Sequence, residues 1–242
     1  MLESLSVVLP MFNEKQYIGR TIEKTLDVLK DVTDDYEIII VDDASDDGCG
    51  EIADELSRRN PCIKVAHHQK NRKLGGSLKT GFNLVRKKYA LYFDMDMPFD
   101  LLEIRRAAGI LFEEKADFVS VYRLNRRVDG IKRYIYSLVY NFFIRCLFDL
   151  KIKDINFSFK LIEADLLKRL NLCSEGSFID AEILIKAKRS KAKIVQFGTE
   201  YFPRKNGKSK LSSFATILKI LQEAFIFRFG MFQKSSQLYV TE

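Results

Sequence analysis

Two aspartates two residues apart, Asp94 and Asp96, close an apolar run in the stretch YFDMDMPFD, residues 92–100. Like charges at that spacing repel unless something positive lies between them. A divalent ion such as Mg2+ or Mn2+ takes oxygen ligands and usually keeps substrate phosphates in its shell. A solvated acidic loop is the ordinary alternative, since turns favour Asp. Two other stretches, VVLPMFNE (7–14) and VDDASDDG (41–48), also carry acids just past apolar runs. Such loops can accept hydrogen bonds from a base N–H and a ribose hydroxyl. Asp42, Asp43, Asp46 and Asp47 equally suit turn and helix-cap roles, and that is the reading for Asp46 and Asp47. LGGSLKTG (74–81) fits neither of the common glycine-rich phosphate loops. A nucleoside diphosphate here would therefore need a metal and bases to carry its charge.

The elements that must position these residues alternate in type. Apolar runs at 5–10, 36–43, 61–68 and 89–96 predict strands, and helical spacing predicts helices at 14–30, 49–60 and 78–88, with Asn13 as the first N-cap. Alternation of this kind predicts an α/β fold with a mostly parallel central sheet and helices on both faces. Ligands in such sheets bind beyond the carboxyl ends of the strands, which places residues 10–14, 42–48 and 94–100 on one rim. Later come two amphipathic helical stripes, at 131–150 and 214–232. Neither has about 20 uninterrupted apolar residues, so no spanning helix is expected. They can lie in a bilayer interface or pack on the sheet, and packing is expected for at least one.

The bulk numbers agree with one large globular domain, or one domain with a modest appendage: 242 residues, 47% hydrophobic and 30% charged. The first residues lack a basic stretch followed by an apolar one, so no secretory leader is expected. Cys49, Cys62, Cys146 and Cys173 have no metal-site spacing and read as free thiols in a reducing compartment. His67 and His68 are adjacent on a predicted strand and point to opposite faces, so no function is assigned to them. The net charge is +7 and unevenly placed. Residues 121–160 hold nine bases against three acids, and 203–219 hold five bases and no acid. That asymmetry suits an acidic partner for the later half: nucleic acid, anionic lipid or a phosphorylated substrate.

In their order, VVLPMFNE, VDDASDDG, NRKLGGSLKTGF and FDMDMP resemble the family 2 glycosyltransferases. Tyr122-Arg123, Ser137, Asn141, Arg145, DINFSFKL (154–161), FIDAEIL (178–184) and RKNGKSKL (204–211) resemble the dolichyl-phosphate mannose synthase branch. The resemblance implies the A-type nucleotide-sugar transferase fold, which is Rossmann-like. It implies one catalytic domain over 1–213, including the helix near 131–150 that would meet lipid, and a C-terminal amphipathic helix and tail over 214–242. Pro10, Asn13 and Glu14 would line the donor pocket, with Asp42 near the base. Asp94 and Asp96 would face Mg2+ or Mn2+ and the donor diphosphate. Arg123, Arg204, Ser209 and Lys210 would hold phosphates of donor or acceptor, with Asp96, Arg204 and Lys210 catalytic. Two departures stand out. Pro98 occupies the position of a frequent metal-ligating Gln, leaving Asp100 or water to complete the shell. Ser158 stands where the branch usually has Gly, which would narrow the acceptor channel.

The implied reaction moves a hexose, mannose or glucose, from a GDP- or UDP-sugar to a dolichyl or polyprenyl phosphate, with inversion. The enzyme would sit peripherally at the cytoplasmic face of a membrane, without a nucleic-acid partner. A lipid phosphate is already ionised and needs no strong base. A hydroxyl acceptor would need one, for which Asp180 or Glu182 are the candidates. A non-catalytic protein binding nucleotide or nucleic acid is the remaining alternative.

Overall fold

The computed structural model describes residues 1–125, 128, 130–202 and 214–230. Short runs rich in Val, Ile and Leu form the strands, the central ones buried on both faces and the edge strands β3 and β7 only in part. These are β1 (Leu5–Met11), β2 (Tyr36–Asp42), β3 (Ile63–His67), β4 (Tyr89–Tyr92), β5 (Phe118–Arg123), β6 (Lys160–Glu163) and β7 (Ile194–Thr199). They make one sheet in the order β3-β2-β1-β4-β6-β5-β7. Only β6 runs against its neighbours; the other pairings are parallel. The mostly parallel α/β sheet expected from the alternation is present.

Alternate residues of each strand feed two separate cores. Leu5, Val7 and Leu9 of β1 pack with α1 (Lys15–Leu29), α2 (Cys49–Arg59) and α4 (Glu103–Glu113) on one face. Val8, Ile39 and Val41 pack on the other with α3 (Lys73–Asn83), α5 (Ile131–Phe148), α6 (Ala164–Arg169), α7 (Ile179–Arg189) and α8 (Phe214–Arg228). All four cysteines are free thiols.

Two helix starts differ from expectation. Asn13 does not cap α1. It sits at φ +58° with its Oδ1 accepting from Asp46 N, while Asp47 Oδ2 takes the orphan Lys15 N–H at 2.9 Å. Asp47 thus fills the capping role read for it. The third helix runs over 73–83 rather than 78–88. Glycine weakens a helix in isolation, which is why propensity placed the start too late. Here Gly75 and Gly76 donate to the Glu175 carbonyl at 2.8 and 3.2 Å. A Cβ on Gly75 would lie 2.2 Å from the Ser174 carbonyl oxygen, so only glycine permits this approach. Downstream, side chains take the N–H groups of residues 86–88: Glu37 Oε1 at 2.9 Å, Ser6 Oγ at 3.2 Å and Ser4 Oγ at 2.9 Å.

Both late helices have one face in the core and one outside it. Tyr140, Asn141 and Ile144 of α5 are buried, as are Ile220 and Ala224 of α8. The two helices pack together, with Phe143 stacked on Phe225 at 6.2 Å. On the outside, Ile131, Ile135, Leu138, Val139 and Phe142 form an exposed stripe along α5. Phe225, Ile226 and Phe229 continue the apolar surface on and just past α8. Asn141 lies inward because its Oδ1 is the acceptor for Ile155 N at 2.9 Å. Among the described residues, no helix is long and apolar enough to cross a membrane.

Candidate active site

The carboxyl ends of β1, β2 and β4 open onto a cavity of about 460 Å3. Pro10 enters it from the end of β1, Glu14 from the β1–α1 turn, Asp94 and Asp96 from the loop after β4, and Arg123 from the end of β5. Five of the expected site residues therefore meet there. Met95 between them packs in the core and also lines the cavity, and Asp94 and Asp96 reach the cavity on either side of it. Thr21 of α1 holds the loop by donating to the Met95 carbonyl at 2.7 Å. Phe99 stacks edge-on with Phe93, Phe157 and Phe159 at 5.5, 6.0 and 4.8 Å, pinning the acidic loop to the 156–159 segment.

Arg123 is held rigidly. Asp154 grips its guanidinium through Nε at 2.7 Å and Nη2 at 3.2 Å, and Tyr201 lies 5.2 Å beneath it. Both members of the pair are nearly or fully buried. A fixed, desolvated guanidinium is a stronger anion partner than a mobile surface base.

Asp42 and Asn13 do not line the cavity; Asp43 does. Asp42 faces the other way, accepting from Ser45 N at 3.1 Å and lying 2.9 Å from His67 Nδ1. The reason is strand geometry: consecutive residues point to opposite sides. Asp43 Oδ1 takes the Arg72 N–H at 2.7 Å and His68 Nδ1–H at 2.6 Å, and His68 Nε2 is 2.9 Å from Thr80 Oγ1. The same alternation that separates the aspartates separates the histidines, so both acquire partners.

His67 bridges Asp42 and Asp54, at 2.9 and 3.0 Å, and the hydrogen bonds to Asp54 and Asp42 raise its pKa above the usual 6.5. Its stabilising contribution is complete below about pH 6.5 and fades as pH rises through the raised value. His67→Gln is expected to lower the melting temperature more at pH 6 than at pH 9, read by thermal melts at both.

Asp180 and Glu182 are not placed to act as bases, and neither lines the cavity. Asp180 is buried 2.6 Å from Lys160 Nζ and accepts from Tyr92 OH. Burial pushes its carboxyl well above the usual range. Burial also pulls Lys160 down to about 7, against the carboxylates of Asp154 and Asp94. Glu182 accepts from the N–H groups of Cys173 and Ser174 at 2.8 and 2.7 Å and pairs with Lys186 at 2.7 Å. It anchors the loop against which Gly75 packs. Asp100 also turns away: its Oδ1 takes the Leu102 N–H at 3.0 Å in a local turn, and it is absent from the cavity wall. Arg204, Ser209 and Lys210 lie outside the described residues.

Ser158, singled out as a departure, lines the cavity, which also adds groups that were not singled out: Asn156 brings an Oδ1 that is buried and accepts no hydrogen bond, and Ile220 and Glu223 of α8 close one side. Among the described residues no set of three His, Cys, Asp or Glu is grouped to hold a metal. Two carboxylates and an open amide oxygen form an all-oxygen donor set, which fits Mg2+ or Mn2+ whose remaining ligands are phosphate oxygens and water.

Against known proteins, the family described as Glycosyl transferase family 2 matches residues 6–170. The chain is 28% identical over 214 residues to glycosyltransferase AglD of Haloferax volcanii, covering 86% of this chain but 34% of that protein, about a third of its length. It is 26% identical over 224 residues to the undecaprenyl-phosphate mannosyltransferase of Micrococcus luteus, covering 85% of this chain and 86% of that one. Among solved structures, glucosyl-3-phosphoglycerate synthase of Mycobacterium tuberculosis in complex with Mn2+ and UDP-glucose superposes with a TM-score of 0.69. That match covers 94% of this chain and 79% of the other at 18% identity, a likeness of fold, and the fold is the A-type transferase fold the motifs implied. With its acidic loops gathered on one rim of that sheet and the match running through them, the chain belongs to glycosyltransferase family 2.

Proposed function

We propose that this glycosyltransferase moves a hexose, mannose or glucose, from a GDP- or UDP-sugar to a polyprenyl or dolichyl phosphate at a membrane surface, with inversion and with Mg2+ or Mn2+. The observation that carries this reading is the double role of α8. Ile220 and Glu223 wall the cavity, while Phe225, Ile226 and Phe229 extend the exposed apolar stripe of α5. An acid-bearing cavity beside an apolar surface suits a substrate with a charged head and a hydrocarbon tail. The names of relatives such as the undecaprenyl-phosphate mannosyltransferase support the same acceptor class. The bases of residues 121–160 other than the buried Arg123 and Lys160 suit an anionic leaflet, and hence the cytoplasmic face.

In the reaction, Asp94 and Asp96, with the Asn156 amide oxygen, would hold the ion, which supplies Lewis-acid neutralisation of the departing diphosphate. Arg123, fixed by Asp154, presents positive charge without reorganising as negative charge builds. Arg204, Ser209 and Lys210 are proposed to add phosphate contacts. The ionised acceptor attacks without a base, in keeping with Asp180 and Glu182 being engaged elsewhere.

Labelled GDP- and UDP-sugars incubated with vesicles containing undecaprenyl phosphate test the reading. Metal-dependent transfer of label to the lipid phase is expected; transfer only to soluble hydroxyl acceptors would sink it. Replacing Phe142 and Phe229 together by Glu is expected to weaken vesicle co-sedimentation at least about tenfold, from the loss of two exposed rings that would insert into the bilayer, while soluble nucleotide binding persists.

A further inference from the structure

We infer that the bilayer contact is two-sided: an apolar patch of Leu102, Leu124 and Phe202, at the start of α4 and the ends of β5 and β7, inserts among lipids together with the α5–α8 stripe. This rests on the reading of the chain as acting at a membrane. The three side chains are large, apolar and 54%, 64% and 48% exposed. Single exposed hydrophobes are common on any protein surface. What distinguishes these is where the fold gathers them.

The sheet brings their chain segments together. Leu124 directly follows β5, and its N–H donates at 3.0 Å to the carbonyl of Thr199, the last residue of β7. Its side chain lies across the Gly198 backbone, where an added Cβ would come within 2.4 Å of Leu124 Cδ2. Thr199 Oγ1 donates in turn to Glu103 Oε1 at 2.9 Å, which ties the start of α4, and with it Leu102, to the same place. Phe202 is held by its N–H, which donates to the Pro98 carbonyl at 2.9 Å. Pro98, Arg123 and Tyr201, the partners and neighbours of these residues, all line the cavity. The patch is therefore the solvent side of one cavity wall.

A bilayer is the occupant that fits. Val128 and Ile131, both exposed, carry apolar surface along the chain from Leu124 to the α5 stripe, so the patch continues the surface proposed for lipid. α4 packs on the sheet face opposite α5 and α8, so exposed apolar side chains flank the cavity from both faces. In sequence, Arg126 and Arg127 closely follow Leu124, and Lys205 closely follows Phe202. Apolar anchors followed by bases suit insertion beneath anionic headgroups. With both sides seated, the edge of the cavity lies at the headgroup layer, where a lipid-linked phosphate already resides.

The chain has no tryptophan, so a single introduced one reports on its own surroundings. Four variants are compared: Leu102→Trp, Phe202→Trp, Ile135→Trp on the α5 stripe, and Phe112→Trp, exposed near the other end of α4. Each is mixed with vesicles of phosphatidylcholine and phosphatidylglycerol with brominated acyl chains and no acceptor. Leu102→Trp and Phe202→Trp are expected to shift to the blue and to be quenched as Ile135→Trp is, while Phe112→Trp keeps its emission. Quenching of Ile135→Trp without that of both patch variants would overturn the two-sided contact and leave the membrane reading standing. Quenching of none of the four would remove the membrane reading itself. Equal quenching of Phe112→Trp would also overturn the inference, since any exposed ring would then serve. So would a blue shift of the patch variants that grows with protein concentration in the absence of vesicles, the mark of a second copy covering the patch. Leu102→Gln combined with Phe202→Gln is expected to weaken co-sedimentation with the vesicles at least about tenfold and to leave nucleotide binding as in wild type. Unchanged co-sedimentation would count against the patch, and the tryptophan variants decide alone should the double variant fail to fold.

Discussion

Asp96→Asn is expected to lower kcat/KM at least about a hundredfold with the fold unchanged, the scale on which removal of one preorganised electrostatic group acts. The substitution keeps the shape of the side chain and removes the charge that would face the ion. Met95 remains buried and Thr21 still holds its carbonyl, so the loop keeps its anchor. The control is Asp100→Asn, four residues on, where the side chain serves a local turn. Initial rates in saturating Mn2+ with a sugar donor measure both. Activity of Asp96→Asn within a few-fold of wild type would refute the metal role.

The second large effect concerns stability. Lys160 is fully buried, with Nζ 2.6 Å from Asp180 Oδ1 and 2.8 Å from the Phe157 carbonyl. Removing one member of a buried pair leaves the other desolvated and uncompensated, typically about 3–5 kcal/mol. Lys160→Met is expected to destabilise by that amount near neutral pH. In the variant, Asp180 keeps its burial and loses its cation, so its pKa stays raised above the unfolded value of about 3.9. A raised carboxyl contributes fully below the unfolded pKa and loses that contribution as pH climbs through the folded one. The deficit should therefore shrink toward pH 4 and grow toward pH 8, in urea unfolding at several pH values. Replacing both members, Lys160→Met with Asp180→Leu, is expected to recover most of the loss and to flatten the pH dependence. A pH-independent deficit in the single variant would mean the pair is not what Lys160 supports.

Much of this was legible in the sequence because strand and helix periodicity is local. The rim carrying Pro10, Glu14, Asp94 and Asp96 follows from alternation and from acids placed just past apolar runs. Choosing between Asp42 and Asp43 was beyond that signal: one residue reverses the face, and the exact strand end decides. Had His67 and His68 been paired with the aspartates by strand register, the opposite fates of the two acids would have been visible, since Asp42 and His67 are register partners. Gly75 and Gly76 misplaced α3 because a contact 100 residues away in sequence overrides their propensity. The helical stripe of α5 was readable, but which side meets the core depends on Ile155, which lies beyond the helix. Asn156 reaches the cavity on the approach to β6, and no local pattern announces that β6 runs backwards.

That reversed strand has a thermodynamic consequence. β6 enters between β4 and β5, bonded to both, and the segment leading into it supplies Asn156 and Ser158 to the cavity. The remaining wall comes from residues as distant as Pro10 and Glu223. No contiguous fragment holds the whole cavity, so donor capture and global folding draw on one equilibrium. A nucleotide at a hundred times its Kd should then raise the resistance of the entire chain to unfolding by about 2.7 kcal/mol, making a shift in melting temperature a ligand screen that needs no knowledge of the acceptor.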